Sequence, residues 1–140
     1  MDKSTDELMN TLHSKPDADR YLKENDNELL HMTLTELLIS YLISKNLEKA
    51  DVIRGSGLDR TYSYQIFNGL HKPSRDKLLC LAFGLHLTVP ETQQLLKTAQ
   101  MAPLYPRIKR DVLILEALFQ GKDIGCCNRN LEKHGEAALQ

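Results

Sequence analysis

Residues 48–74, EKADVIRGSGLDRTYSYQIFNGLHKPS, decide the fold of this chain. They read as two short helices, 49–54 and 60–68, joined by a tight turn. Asp59 stands where the second helix needs an N-cap: its carboxylate can accept from the first free N–H groups and meets the positive end of the helix dipole. Gly57 lies two residues upstream, where the turn calls for a positive φ. Two short helices at this spacing form the helix-turn-helix pattern.

Stepping along the second helix at about 100° per residue divides its side chains. Arg60, Thr61, Tyr64, Gln65 and Asn68 collect on one face, and Tyr62, Ser63 and Ile66 on the other, with Phe67 at the boundary. Val52, Ile53 and Leu58 give the inner face something to pack against. The outer face carries the chemistry of base-edge reading. Arginine bonds O6 and N7 of guanine in a fork, and glutamine bonds N6 and N7 of adenine. Thr61 adds a methyl or a hydroxyl, and Tyr64 a ring for a thymine methyl or a phenol for a phosphate. Lys49 opens the first helix, where a phosphate can also meet free backbone N–H groups. Asn68, His71, Lys72 and Arg75 surround the far end and suit the phosphate backbone, which sets register and not sequence.

Charge follows the same division. The chain of 140 residues has a formal net charge of −1, but residues 1–32 hold four Lys/Arg against eight Asp/Glu, while residues 45–77 hold seven against four. The positive excess coincides with the two helices. A solvated surface accounts for such a face as well as DNA does.

The rest of the chain reads as helix too. Ser4 with Glu7, Thr33 with Glu36, and Thr88 with Glu91 have capping-box spacing, and Pro90 falls in a first turn, where its missing N–H costs nothing. Further helices are expected over about 5–13, 17–24, 34–45, 75–84, 90–99, 107–120 and 123–133, eight or nine in all. In 107–120, Ile108, Val112, Leu115 and Phe119 fall on one side; in 5–13, Leu8, Met9 and Leu12 do the same. Both stripes are expected to bury against the core or to form a dimer interface.

Length and composition predict one compact domain, all-α, at home in the cytoplasm. No apolar run is long enough for a membrane span, and the acidic start is not a targeting sequence. Cys80 reads as a core residue; Cys126, Cys127 and His134 lack structural zinc spacing, so no metal or cofactor is expected. Asp17 with Asp19, and His31 near Glu28 and Glu36, read as solvated faces rather than catalytic sets, and no phosphate loop or triad is present. An enzyme is not expected. A protein-interaction module of the same shape is the alternative to DNA binding.

The segment 34–96 resembles the lambda-repressor-like (Xre-type) helix-turn-helix family. The features that carry the resemblance are Gly57–Leu58, Ile66, Asn68–Gly69, Lys72–Pro73–Ser74 and the stretch LLCLAFGLHLTVPETQQLL. It implies a five-helix DNA-binding core at 33–100, flanked by an acidic helical extension at 1–32 and a second extension at 101–140. It also implies a homodimer on double-stranded DNA, with the third core helix in the major groove. Carried over by position, Arg60, Thr61 and Gln65 would read bases, with Tyr64 beside them, and Lys49 and Asn68 would touch phosphate. The terminal helices would be free to hold a protein partner. The family usually places an aliphatic residue where Ser63 stands.

Overall fold

The computed structural model describes residues 3–28 and 32–140; the His31 grouping falls outside them. Every regular element among the described residues is helical. The contacts divide the chain into two compact units, 1–31 and 32–140, where length alone suggested one.

The first unit carries α1 (Thr5–Ser14), α2 (Ala18–Glu24) and a 3₁₀ turn (Asp26–Glu28). Ser4 caps α1 by accepting from the Glu7 N–H, and Asp17 caps α2 through the Arg20 N–H. Neither helix buries a residue; of the apolar stripe, Leu8 is half-buried and Met9 and Leu12 are exposed. Among the described residues of the unit Asn25 is the buried one: its amide donates to the Tyr21 carbonyl and accepts from Lys3 Nζ.

The second unit holds α3 (Leu34–Ser44), α4 (Lys49–Ser56), α5 (Arg60–Phe67), α6 (Arg75–Gly84), α7 (Val89–Thr98), α8 (Lys109–Phe119) and α9 (Ile124–Lys133). Its centre is α6, where every residue from Leu78 to Gly84 is buried. A helix apolar all round must be covered on all sides, and α4, α7 and α9 pack against it. Thr33 caps α3, and at Thr88 the capping box closes, with Thr88 and Glu91 exchanging side-chain to backbone bonds. Tyr41 of α3 reaches α7, donating to Gln94 Oε1 at 2.6 Å; burial, aided by the negative charge of Glu91, pushes its phenol up to about 12.

Residues 101–140 share the core of this unit. Leu104, Ile114, Leu118, Leu131 and Leu139 are all buried. Gln93 gives its amide to Leu104 as a strand would, donating to the carbonyl and accepting from the N–H. Asn128 does the same for Leu139 and ties down the C-terminus.

The face of α8 that packs is not the expected one. Asp111, Ile114, Ala117 and Leu118 are buried, while Ile108, Val112 and Phe119 are exposed and Leu115 half-buried. The helix carries apolar residues on two adjoining faces, so periodicity alone does not choose between them. The choice falls to Asp111, whose partner Arg75 lies on the core.

Candidate nucleic-acid interface

α4 ends at Gly57, whose φ of 70° turns the chain in the left-handed region. Three residues later α5 begins, with Asp59 accepting from the Tyr62 N–H at 2.9 Å. Gly69, at φ 76°, closes α5: the Leu70 N–H reaches the Gln65 carbonyl and the Gly69 N–H the Ile66 carbonyl, a Schellman ending. A β-carbon on Gly69 would sit 3.3 Å from Thr35 Oγ1, so position 69 is short of room as well.

The inner side of α5 is fixed by burial. Ser63, Ile66 and Phe67 are buried, and Tyr62 is half-buried. Phe67 therefore belongs to the core rather than the boundary. Ser63 fits at an apolar position because its hydroxyl donates to the Asp59 carbonyl at 2.7 Å and leaves nothing unsatisfied.

On the outer side, Arg60, Thr61 and Asn68 are exposed, and Tyr64 and Gln65 half-buried. The Arg60 guanidinium lies 5.8 Å from the centre of the Tyr64 ring, a cation–π contact that reduces its freedom before any ligand arrives. Beside them, Ala50, Ile53, Arg54, Gly57 and Leu58 line an open depression that continues onto Arg60 and Tyr64.

The flanks contribute cations. Glu48 at the N-cap of α4 makes no side-chain capping bond, while its backbone carbonyl accepts from the Asp51 and Val52 N–H groups. Lys49 follows, with its ammonium 5.8 Å from the Phe67 ring. His71 and Lys72 are exposed beyond the end of α5, and the His71 ring lies 5.3 Å from that of Tyr62. The Lys77 ammonium lies 5.5 Å from the centre of the Tyr62 ring. Sequence reading took Arg75 from the first turn of α6 and passed over Lys77. Arg54 is exposed but paired with Asp51 one turn away, which cancels its charge locally.

Arg75 is placed differently from the other flanking residues. Its guanidinium donates to both carboxylate oxygens of Asp111, at 3.2 and 2.9 Å, and to the carbonyls of Ala102 and Pro103. Those bonds direct it toward the C-terminal segment.

Cys80 and Cys127 are packing residues, and Cys126 is half-buried. Burial pushes the thiols of Cys80 and Cys127 up to about 11, which keeps both protonated at neutral pH. Among the described residues, no group of three or more His, Cys, Asp and Glu stands together as metal ligands do, and no helix is long and apolar enough to cross a membrane. Compared with known proteins, the chain matches no family model, no curated protein and no solved structure.

Proposed function

We propose that the chain is a non-enzymatic, sequence-specific DNA-binding regulator of the lambda-repressor-like kind, working in the cytoplasm. In this reading α4 and α5 are the helix-turn-helix, and α5 enters the major groove. The observation that carries it is the division of α5: Ser63, Ile66 and Phe67 are buried while Arg60, Thr61 and Asn68 are exposed, flanked by the half-buried Tyr64 and Gln65. Eight residues make a rod about 12 Å long, short enough for its whole outer face to meet a few base pairs of the groove.

Each side chain then has a role. Arg60, steadied by Tyr64, bonds guanine; Gln65 bonds adenine; Thr61 supplies a hydroxyl or a methyl contact. Lys49 and the first amides of α4 take a phosphate, and Asn68, His71 and Lys72 grip the backbone at the other end. Arg75 seats the C-terminal segment instead, through Asp111. A homodimer would read two half-sites, with its recognition helices about 34 Å apart.

A protein-interaction module is the second reading, favoured by the exposed apolar residues of α8 and the net charge of −1. Selection from a random duplex pool at low salt, followed by footprinting, separates the two. DNA reading predicts an enriched, protected motif. Absence of binding to any duplex would leave the interaction module.

A further inference from the structure

A shift of 35 residues, from 75 to 110, aligns two stretches of this chain. Arg75 and Asp76 fall on Arg110 and Asp111, Gln93 on Asn128, and Ala102, Pro103 and Leu104 on Ala137, Ala138 and Leu139. The structure repeats with the same step. The left-handed residues His86 and Gln100 fall on Gly121 and Gly135, and the N-cap Thr88 falls on the N-cap Asp123. The Leu87 N–H reaches the Ala82 carbonyl as that of Lys122 reaches Ala117, and Met101 reaches Leu96 as Glu136 reaches Leu131.

The side-chain bonds match atom for atom. Arg75 Nε donates to the Ala102 carbonyl and Arg110 Nε to that of Ala137, both at 3.0 Å. Their Nη2 atoms reach the next carbonyls, Pro103 at 3.1 Å and Ala138 at 3.2 Å. Gln93 brackets Leu104 through its N–H and carbonyl, Asn128 brackets Leu139, and both leucines are buried. Asp111 accepts from the Tyr105 N–H and Asp76 from that of Gln140. Each aspartate comes from the other stretch, so each seat is completed across the Arg-Asp fork.

The two occupants define what a seat reads. Its polar side chains bond only the main chain, which carries no sequence. The leucine enters the core, while Ala102 and Ala137 stay exposed. The middle residue is proline in one segment and alanine in the other, so no N–H is needed there. Main-chain bonds for affinity and one side-chain pocket for selection are how domains hold peptides. We propose that residues 75–105 and 110–140 are two copies of one peptide-holding module, and that the second seat, built by Arg110, Asn128 and Asp76, takes an Ala-X-Leu segment of another polypeptide in place of 137–139. The second seat is the one able to exchange. Residues 102–105 link α7 to α8, both packed in the core, whereas 137–140 follow α9 and bury one side chain, Leu139. This proposal does not rest on DNA reading.

The probe is the sister segment itself: a labelled peptide of residues 101–106, MAPLYP, titrated with the full chain and read by fluorescence anisotropy. Leu139→Asp sets a charge against an apolar seat and empties it. That variant should bind the peptide with a dissociation constant on the order of 1 mM or below. Wild type, whose own segment competes at an effective concentration of millimolar order or more, should bind roughly tenfold more weakly. Leu104→Asp in the peptide should abolish binding, and Asn128→Ala added to the Leu139→Asp chain should weaken it about fivefold or more. Should Leu139→Asp cost helix content, Leu139→Ala takes its place in the same titration. Ala138→Pro tests the likeness of the seats separately: proline already fills that place at 103, so the urea midpoint should stay unchanged. A folded chain with position 139 changed that takes up no peptide would overturn the proposal. So would equal binding of the Leu104→Asp peptide, or a clear fall in the Ala138→Pro midpoint.

Discussion

Arg75 and Asp111, thirty-six residues apart, form a forked ion pair that joins the first turn of α6 to the first turn of α8. Next to it the pairing repeats in reverse: Arg110 forks onto Asp76 at 2.9 and 2.8 Å. The same dipeptide, Arg-Asp, thus occurs at 75–76 and 110–111, and each copy satisfies the other. Both arginines spend their remaining donors on backbone carbonyls, Arg75 on Ala102 and Pro103, Arg110 on Ala137 and Ala138. Asp111, 2% exposed, also accepts from the Tyr105 N–H.

A buried pair that is fully bonded contributes little by its presence and costs much when halved. Asp111→Ala leaves the Arg75 guanidinium and the Tyr105 N–H without their acceptor, and should lower stability by about 3–5 kcal/mol in urea unfolding. Arg75→Met with Asp111→Leu should cost clearly less than the two single changes summed. Additive losses would show that the two residues do not act together.

Asp76 links this clamp to pH. The bidentate bond from Arg110 holds its carboxyl below the usual value, against partial burial, which pushes upward. A lowered folded value means that the contribution is complete above the ordinary aspartate value, about 3.9, and is lost as pH falls through the folded value. Acid unfolding should therefore be steeper in wild type than in Asp76→Asn, whose stability starts lower and changes less below pH of about 4. Chemical denaturation across the acid range measures the slope.

Gly84 sets how closely α4 lies on α6. A β-carbon there would stand 2.2 Å from the Val52 carbonyl oxygen and 3.1 Å from the Ser56 nitrogen, both backbone atoms that cannot rotate away. Gly84→Ala should push α4 off α6 and cost about 3 kcal/mol or more, as overpacking does at its severe end. Since α4 packs on α5, the change should also weaken DNA binding. At Gly55 the β-carbon would meet Gly84 Cα at 3.3 Å, so Gly55→Ala should be the milder variant. Urea midpoints of the two rank them.

The helix starts were legible because capping is local chemistry. Ser4, Thr33, Asp59 and Thr88 each accept the expected N–H group. The two faces of α5 were legible for the same reason, since a helix of eight residues is described by its period. The helix ends were less so. Asn46, His86 and Gln100 adopt positive φ where a glycine would be looked for, and the Schellman bonds of Leu47, Leu87 and Met101 follow them. Nothing in the residue type of His86 or Gln100 announces that role. Least legible was the buried side of α8. It depends on Asp111 finding Arg75, a contact between segments far apart in sequence. The same pairing explains why Arg75 looked like one more cation beside α5.

Base preference tests the central claim most directly. Binding of the full chain to its selected duplex should be compared with binding to every single-base variant of that site, for wild type, Arg60→Ala, Gln65→Ala and Lys72→Ala. Arg60→Ala and Gln65→Ala should each lose about 1–3 kcal/mol of discrimination at one base pair and keep it elsewhere. Lys72→Ala should weaken all duplexes alike and reduce the salt slope by about 1. Unchanged base preference in both Arg60→Ala and Gln65→Ala would contradict the placing of α5 in the major groove.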